Sequence, residues 1–70
     1  MENSKYREDF YFRITFVTGK ELSYSNNCYY IKDYKNDKCL EVRRRASEEE
    51  VLFIPNKENI LCIEYNVLDD

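Results

Sequence analysis

Short segments with a two-residue hydrophobic period dominate this chain. The first spans residues 10–17, where every second residue is apolar: Phe10, Phe12, Ile14 and Phe16. Such alternation predicts a half-buried β-strand with this face toward the core. The following Thr18-Gly19-Lys20 predicts a tight turn, because glycine readily adopts positive φ, and residues 21–25 then predict the second strand of a hairpin.

Two apolar segments in the last third predict a second pair of strands. Residues 51–54 are followed by Pro55, which cannot continue a hydrogen-bonded strand, and residues 60–67 are again apolar. Residues 56–59 between them predict a tight connection or a single 3₁₀ turn.

The middle of the chain predicts two shorter strands, over residues 28–33 and 39–43. The charged stretch 43–50 that follows has two interpretations. We expect an exposed loop. The alternative is a short helix over residues 47–50, since Ser47 and Glu50 have the spacing of a capping box.

Five or six strands with short connections predict an all-β fold, a small antiparallel meander that curls to bury one face. The closing pattern Phe53-Ile54-Pro55, then Asn59-Ile60 and Ile63, resembles the last two strands of SH3-like and Sm-like small barrels. The resemblance implies a barrel. Sm-like proteins carry a glycine before the last strand and an Asp/Asn pair in a nucleotide pocket; residues 56–59 lack that glycine, so the resemblance implies no RNA binding.

The 70 residues predict a single domain over 1–70, with a polar leader at 1–8 and a frayed tail at 68–70. The predicted core comprises ten residues: Phe10, Phe12, Ile14, Phe16, Leu40, Val42, Leu52, Ile54, Leu61 and Ile63.

The net charge of −3 disfavours nucleic acid and anionic membranes as partners. The acidity is local. Residues 1–35 hold six Lys/Arg against five Asp/Glu, whereas residues 36–70 hold five against nine.

The composition also disfavours enzymatic chemistry. Histidine is absent, which removes the usual general base and the commonest metal ligand. A single glycine excludes phosphate-cradling loops, and Cys28, Cys39 and Cys62 lack zinc-site spacing. We therefore expect no enzyme, no cofactor and no metal site.

The three cysteines are an odd number, which favours a reducing interior and small thiols that are buried or lie on strand faces. The N-terminal residues are polar, and no apolar run is long enough to span a bilayer. A cytoplasmic location is the expectation.

Tyrosines and one arginine cluster are the candidate binding residues. The six tyrosines from Tyr11 onward exceed the inward positions of a small barrel, and tyrosine is enriched at interfaces. The alternatives are rings that cap the open ends of the barrel or that stack on single-stranded nucleic acid. The Arg43-Arg44-Arg45 cluster suits a partner's carboxylate or phosphate, with pairing to Glu48–Glu50 as the alternative. The candidate surface comprises Tyr29, Tyr30, Tyr34, Arg43, Arg44, Arg45, Cys62 and Tyr65.

These features predict a non-enzymatic protein-binding module with a protein partner or a second copy of itself. The abundance of Asn, Lys, Tyr and Ile resembles the coding bias of AT-rich bacteria and their phages, whose small acidic proteins include regulators and inhibitors of host proteins. The alternatives are a nucleic-acid-binding Sm-like barrel and a structural subunit of a larger assembly. The last strand, apolar on both faces, is the predicted contact edge.

Overall fold

A computed structural model describes residues 10–68 of the chain. They form six β-strands and one 3₁₀ turn: β1 (Tyr11–Phe16), β2 (Glu21–Ser25), β3 (Tyr29–Asp33), β4 (Leu40–Arg44), β5 (Glu50–Ile54), η1 (Lys57–Asn59) and β6 (Ile60–Val67). The all-β prediction is confirmed, and the predicted bounds of β2 and β6 agree with the structure. The leader 1–8 and residues 69–70 of the predicted tail lie outside the described residues; Leu68 is exposed and follows the last strand.

The strands form two antiparallel sheets of three strands each. Sheet A has the order β2-β1-β6 and sheet B the order β3-β4-β5. The last strand therefore returns to the first, as in a curled meander. Pairing stops between β2 and β3 and between β5 and β6, so within residues 10–68 the expected closed barrel is not confirmed.

The β1–β2 hairpin contains the tight turn that was predicted at Thr18-Gly19-Lys20. Gly19 has φ +96°, a value that side chains with a Cβ rarely adopt. Its N–H donates to the Phe16 carbonyl at 2.8 Å, and the Phe16 N–H donates to the Lys20 carbonyl at 2.8 Å. These bonds fix the register in which Phe12 lies opposite Tyr24 and Ile14 opposite Leu22.

The core lies between the facing sides of the two sheets. Its buried residues are Phe12 and Ile14 from sheet A and Ile31, Leu40, Val42 and Ile54 from sheet B. Of the other predicted core residues, Phe16, Leu52 and Ile63 are half-buried and pack against this cluster, and Phe10 is half-buried. Ile31 was not among the predicted residues, because its strand carries few other apolar residues.

Leu61 is the one wrong core prediction. Its side chain is 66% exposed, because β6 contains a β-bulge at this position. Cys62 pairs with Thr15 and Ile60 pairs with Phe16. Leu61 is therefore an extra residue that pairs with no residue of β1. A bulge interrupts the two-residue alternation, and both Leu61 and Cys62 are exposed as a result.

The charged stretch after β4 is a turn rather than a helix. Residues 45–47 form the turn, Glu48 has φ +61°, and β5 already begins at Glu50. The Glu48 N–H donates to the Arg44 carbonyl at 2.7 Å, which closes the β4–β5 connection. The expected loop is confirmed over residues 45–49, whereas Arg43, Arg44 and Glu50 belong to the flanking strands. The capping-box helix is wrong.

Within the described residues, no helix has the length and apolar character to cross a membrane.

Candidate functional site

Arg43 lies on the outer side of sheet B and is engaged by its own chain. Its Nε donates to Glu41 Oε1 at 2.6 Å, and its Nη1 donates to the Glu48 carbonyl at 2.7 Å. The hydrogen bond to Glu41 raises the pKa of Arg43 above its ordinary value, with Tyr34 contributing less. Arg43 thus holds the buried Glu41 carboxylate and ties β4 to the turn after it.

Arg44 and Arg45 are placed differently, each over a tyrosine ring. The Arg44 guanidinium lies 5.6 Å from the ring centre of Tyr29, and that of Arg45 lies 5.6 Å from the ring centre of Tyr30. These distances fall within the range of cation–π attraction. Four predicted site residues therefore lie at one end of sheet B, where the consecutive Tyr29 and Tyr30 point to opposite faces of the sheet.

This end of sheet B carries a cleft of about 420 Å³, which we call the arginine cleft. It lies between the turn at residues 26–28 and the turn at residues 45–47. Its lining residues are Asn27, Cys28, Arg44, Arg45 and Ala46. The two turns are joined by the Arg45 N–H, which donates to the Cys28 carbonyl at 2.8 Å. Sequence patterns do not predict this juxtaposition, since the two turns are far apart in the chain.

An aromatic series connects the arginine cleft to the core. The ring of Tyr24 lies 5.6 Å from that of Phe12 and 5.2 Å from that of Tyr29, which in turn lies under Arg44. Burial raises the pKa of Tyr24, and the neighbouring Tyr29 adds to the increase. Tyr29 is therefore a core contact as well as a candidate binding residue.

The other two predicted site residues lie on sheet A. Tyr65 is half-buried and packs against the core. Cys62 is exposed on β6 opposite Thr15. The eight predicted residues therefore do not form one continuous surface, and Cys62 belongs to a different face from the arginines.

The edge of β6 forms a second surface. β6 is the longest strand and lies at the edge of sheet A, paired only with β1 among the described strands. Leu61 and Cys62 are exposed on it, and Val17, 57% exposed, lies at the adjoining end of β1. The Val17 N–H donates to the Asn59 carbonyl at 2.9 Å, which places Val17 beside the start of β6. We call Val17, Leu61 and Cys62 the edge patch.

An apolar groove of about 420 Å³ opens beside Val17, between the ends of the two sheets. Phe16, Leu22 and Leu52 form its apolar walls, and Lys20 and Asn59 lie on its rim. The exposure of Val17 agrees with its place on the face of the first strand opposite the core residues, whereas the alternating pattern wrongly assigns Leu61 to the core.

The thiols are not joined by disulfides, and Cys28 and Cys62 are exposed while Cys39 is half-buried. The expectation of buried or strand-face thiols is therefore wrong for Cys28, which lies in an exposed turn. No group of three His, Cys, Asp or Glu side chains suited to a metal ion occurs in the part of the chain that the structure describes.

Comparison with protein-family models, curated protein sequences and solved structures finds no match to this chain.

Proposed function

We propose that this protein is a non-enzymatic protein-binding module that pairs the outer edge of β6, near Leu61 and Cys62, with an extended segment of a partner protein. One observation carries the proposal: the longest strand lies at a sheet edge and presents exposed Leu61 and Cys62 there. An edge strand offers unpaired amide and carbonyl groups, to which an added strand contributes main-chain hydrogen bonds.

The two edges of sheet A differ in chemistry. The opposite edge strand, β2, carries Glu21, Ser23 and Ser25 on its outer side, which are polar residues that discourage pairing. β6 carries Leu61 and Cys62 of the edge patch instead. A large aliphatic side chain such as Leu61 gains free energy when a partner covers it, which supports β6 rather than β2 as the contact edge.

The wider setting that we propose is a small cytoplasmic regulator, or a phage-type inhibitor of a host protein. If the partner is permanent, the chain is a structural subunit of a larger assembly that uses the same edge of β6. We also propose that the two sheets are the halves of an open SH3-like barrel. The short 26–28 connection and the contact between the Tyr24 and Tyr29 rings, which bridges β2 and β3, support this arrangement.

Site-specific photo-crosslinking tests the proposal. A photoreactive amino acid is placed at position 62 on β6 and, as a matched control, at position 23 on β2. With partner proteins recovered from cells, or with the purified chain alone, we expect an adduct from position 62 and none from position 23. Cys62→Lys should weaken the same association in sedimentation without lowering the denaturation midpoint.

A chain that sediments as a monomer and gives no protein adduct from position 62 would contradict the proposal. Full association of the Cys62→Lys variant would also contradict it, because a lysine on an edge strand opposes pairing. Recovery of nucleic acid instead of protein would favour the Sm-like alternative.

A further inference from the structure

The walls of the apolar groove are the outermost layer of the core. Leu22 lies opposite Ile14 and Leu52 lies opposite Val42, so both leucines point to the core side of their sheets. Phe16 packs against the same core from the end of β1. Ile14 and Val42 are completely buried, whereas the three wall residues are only half-buried. The core is therefore open at this end, where its apolar surface is accessible to a ligand.

Lys20 is the only charged residue of the described chain that lines the groove. It lies two positions before Leu22 and thus on the same side, while Glu21 between them faces the opposite side. The Phe16 N–H donates to the Lys20 carbonyl at 2.8 Å, which holds this residue at the groove. Within residues 10–68 its ammonium group forms no ion pair. The groove therefore carries a positive charge that no described carboxylate pairs with.

Two neutral polar side chains complete the rim. Thr18 supplies a hydroxyl and Asn59 a carboxamide, and both groups can donate a hydrogen bond to an anion. The main chain of Asn59 is fixed, because its N–H donates to the Asn56 carbonyl at 3.0 Å and its carbonyl accepts from the Val17 N–H at 2.9 Å. One cation and two hydrogen-bond donors thus lie beside three apolar walls.

We propose that the apolar groove binds a small carboxylic acid with an unbranched apolar chain, the chain against the three walls and the carboxylate on Lys20. Small-molecule sites are mostly apolar with a few polar groups and have volumes of about 300 to 1,000 Å³. The groove, at about 420 Å³, lies in this range. This site uses neither Leu61 nor Cys62, so it does not depend on the strand-pairing proposal.

The apolar walls favour a ligand whose only polar group is at one end. A peptide segment laid against the same walls would bring main-chain N–H and carbonyl groups out of water, and the wall side chains offer them no hydrogen bonds. A simple carboxylic acid keeps its one polar group at the rim. Charge complementarity with Lys20 then selects an anionic head group over a neutral or cationic one.

The leucines of the chain provide the readout. There are five of them, and only Leu22 and Leu52 line the groove. Leu40 is buried in the core, whereas Leu61 and Leu68 are exposed elsewhere. The protein with labelled leucine methyl groups is titrated with octanoate and followed by NMR. We expect saturable shifts of the Leu22 and Leu52 methyl signals and no such shifts at Leu61 and Leu68.

Chain length and head group test the two halves of the site separately. From hexanoate to heptanoate to octanoate, each added CH₂ should tighten the Kd about fourfold, as burial of a methylene group predicts. Octanamide has the same chain without the charge and should bind about threefold more weakly, because an exposed ion pair contributes modestly. Octylammonium, which Lys20 repels, should bind more weakly still.

Matched variants test the rim. Lys20→Gln should weaken octanoate binding about threefold and leave octanamide binding unchanged, whereas Lys35→Gln in the β3–β4 connection should change neither. Thr18→Glu places a like charge on the rim and should weaken octanoate binding further, whereas Ser23→Glu on the outer side of β2 should not. All four positions are exposed, so we expect the variants to keep the fold.

Three results would overturn the proposal. The first is the absence of saturable shifts at Leu22 and Leu52. The second is equal binding of octanoate and octanamide, or equal effects of Lys20→Gln and Lys35→Gln, which would remove Lys20 from the site. The third is tighter binding of an acetylated dileucine peptide with a free terminal carboxylate, which would assign the groove to a protein C-terminus. Photo-crosslinking from position 62 reports strand pairing separately, so failure of one proposal is distinguishable from failure of the other.

Discussion

The Arg43 Nε lies 2.6 Å from Glu41 Oε1, two positions earlier on the same strand. Glu41 is only 8% exposed although it lies on the outer side of sheet B. Residues two apart on a strand point to the same face, so the Arg43 guanidinium covers the Glu41 carboxylate and offsets part of the free energy lost when that carboxylate leaves water. This pair explains why one arginine of the cluster has a structural role.

Removing Arg43 should therefore destabilise the domain. We expect Arg43→Met to lower the urea midpoint clearly, because it leaves a buried carboxylate without its cation. The double variant Glu41→Leu plus Arg43→Met should recover most of that loss, since an apolar pair needs no compensation. Arg13→Met is the matched control: its pair with Glu64, 3.2 Å apart, is more exposed, and its loss should change stability by less than about 1 kcal/mol. Equal effects of the two single variants would contradict this assignment.

Truncations should separate the buried core from the edge patch. Phe12 is completely buried, and Phe12→Ala should cost about 3 to 4 kcal/mol in the free energy of unfolding. Ile63 is half-buried, so Ile63→Ala should cost about 1 to 2 kcal/mol. Leu61→Ala should change stability by less than about 0.5 kcal/mol, because the side chain is exposed at the bulge. Chemical denaturation measures all three, and a Leu61→Ala cost as large as that of Ile63→Ala would place Leu61 in the core after all.

Stability should fall at alkaline pH through Tyr24. Burial, and next Tyr29, raise its pKa, so the folded state holds the proton where the unfolded chain releases it. The contribution is complete below about pH 10, the ordinary tyrosine pKa, and is lost as the pH rises through the higher folded value. Urea midpoints measured on both sides of this range should fall less for Tyr24→Phe than for the parent. An equal fall in both chains would exclude Tyr24 as the cause.

Nucleic-acid binding should be absent at physiological salt. The net charge is −3, and Arg43 is already engaged by Glu41 and by the Glu48 carbonyl. Titration with single-stranded RNA and DNA should give no affinity tighter than about 1 μM, since phosphate contacts require several cations. A tighter affinity that weakens steeply with salt and disappears in Arg43→Glu plus Arg44→Glu would favour the Sm-like alternative.

Local periodicity was sufficient to predict most strands, because alternation and turn residues act over a few positions. The Gly19 turn and the bounds of β6 are predictable in this way. The bulge is not, since Leu61 is as apolar as the core residues around it. The arginine cleft was also beyond prediction: it depends on the Arg45 N–H reaching the Cys28 carbonyl, a contact between distant turns. Hence the sequence identifies the three arginines as candidate binding residues. It does not predict that Arg43 pairs with Glu41 while Arg44 and Arg45 line the cleft.

Leu61 is the extra residue of the bulge, so the pairing of β6 with β1 does not use it. If Leu61 were deleted, Ile60 opposite Phe16 and Cys62 opposite Thr15 would become consecutive, and the alternation of β6 would then be regular from Ile60 to Glu64, up to the second irregularity of this strand. Loss of one residue normally turns the rest of a strand inside out. With Leu61 removed, Ile60 and Ile63 would stay on the core side, so we expect this strand to accept a one-residue deletion that an ordinary strand does not. The packing of the core then places little constraint on residue 61, whose exposed side chain can vary with the partner that contacts the edge of β6.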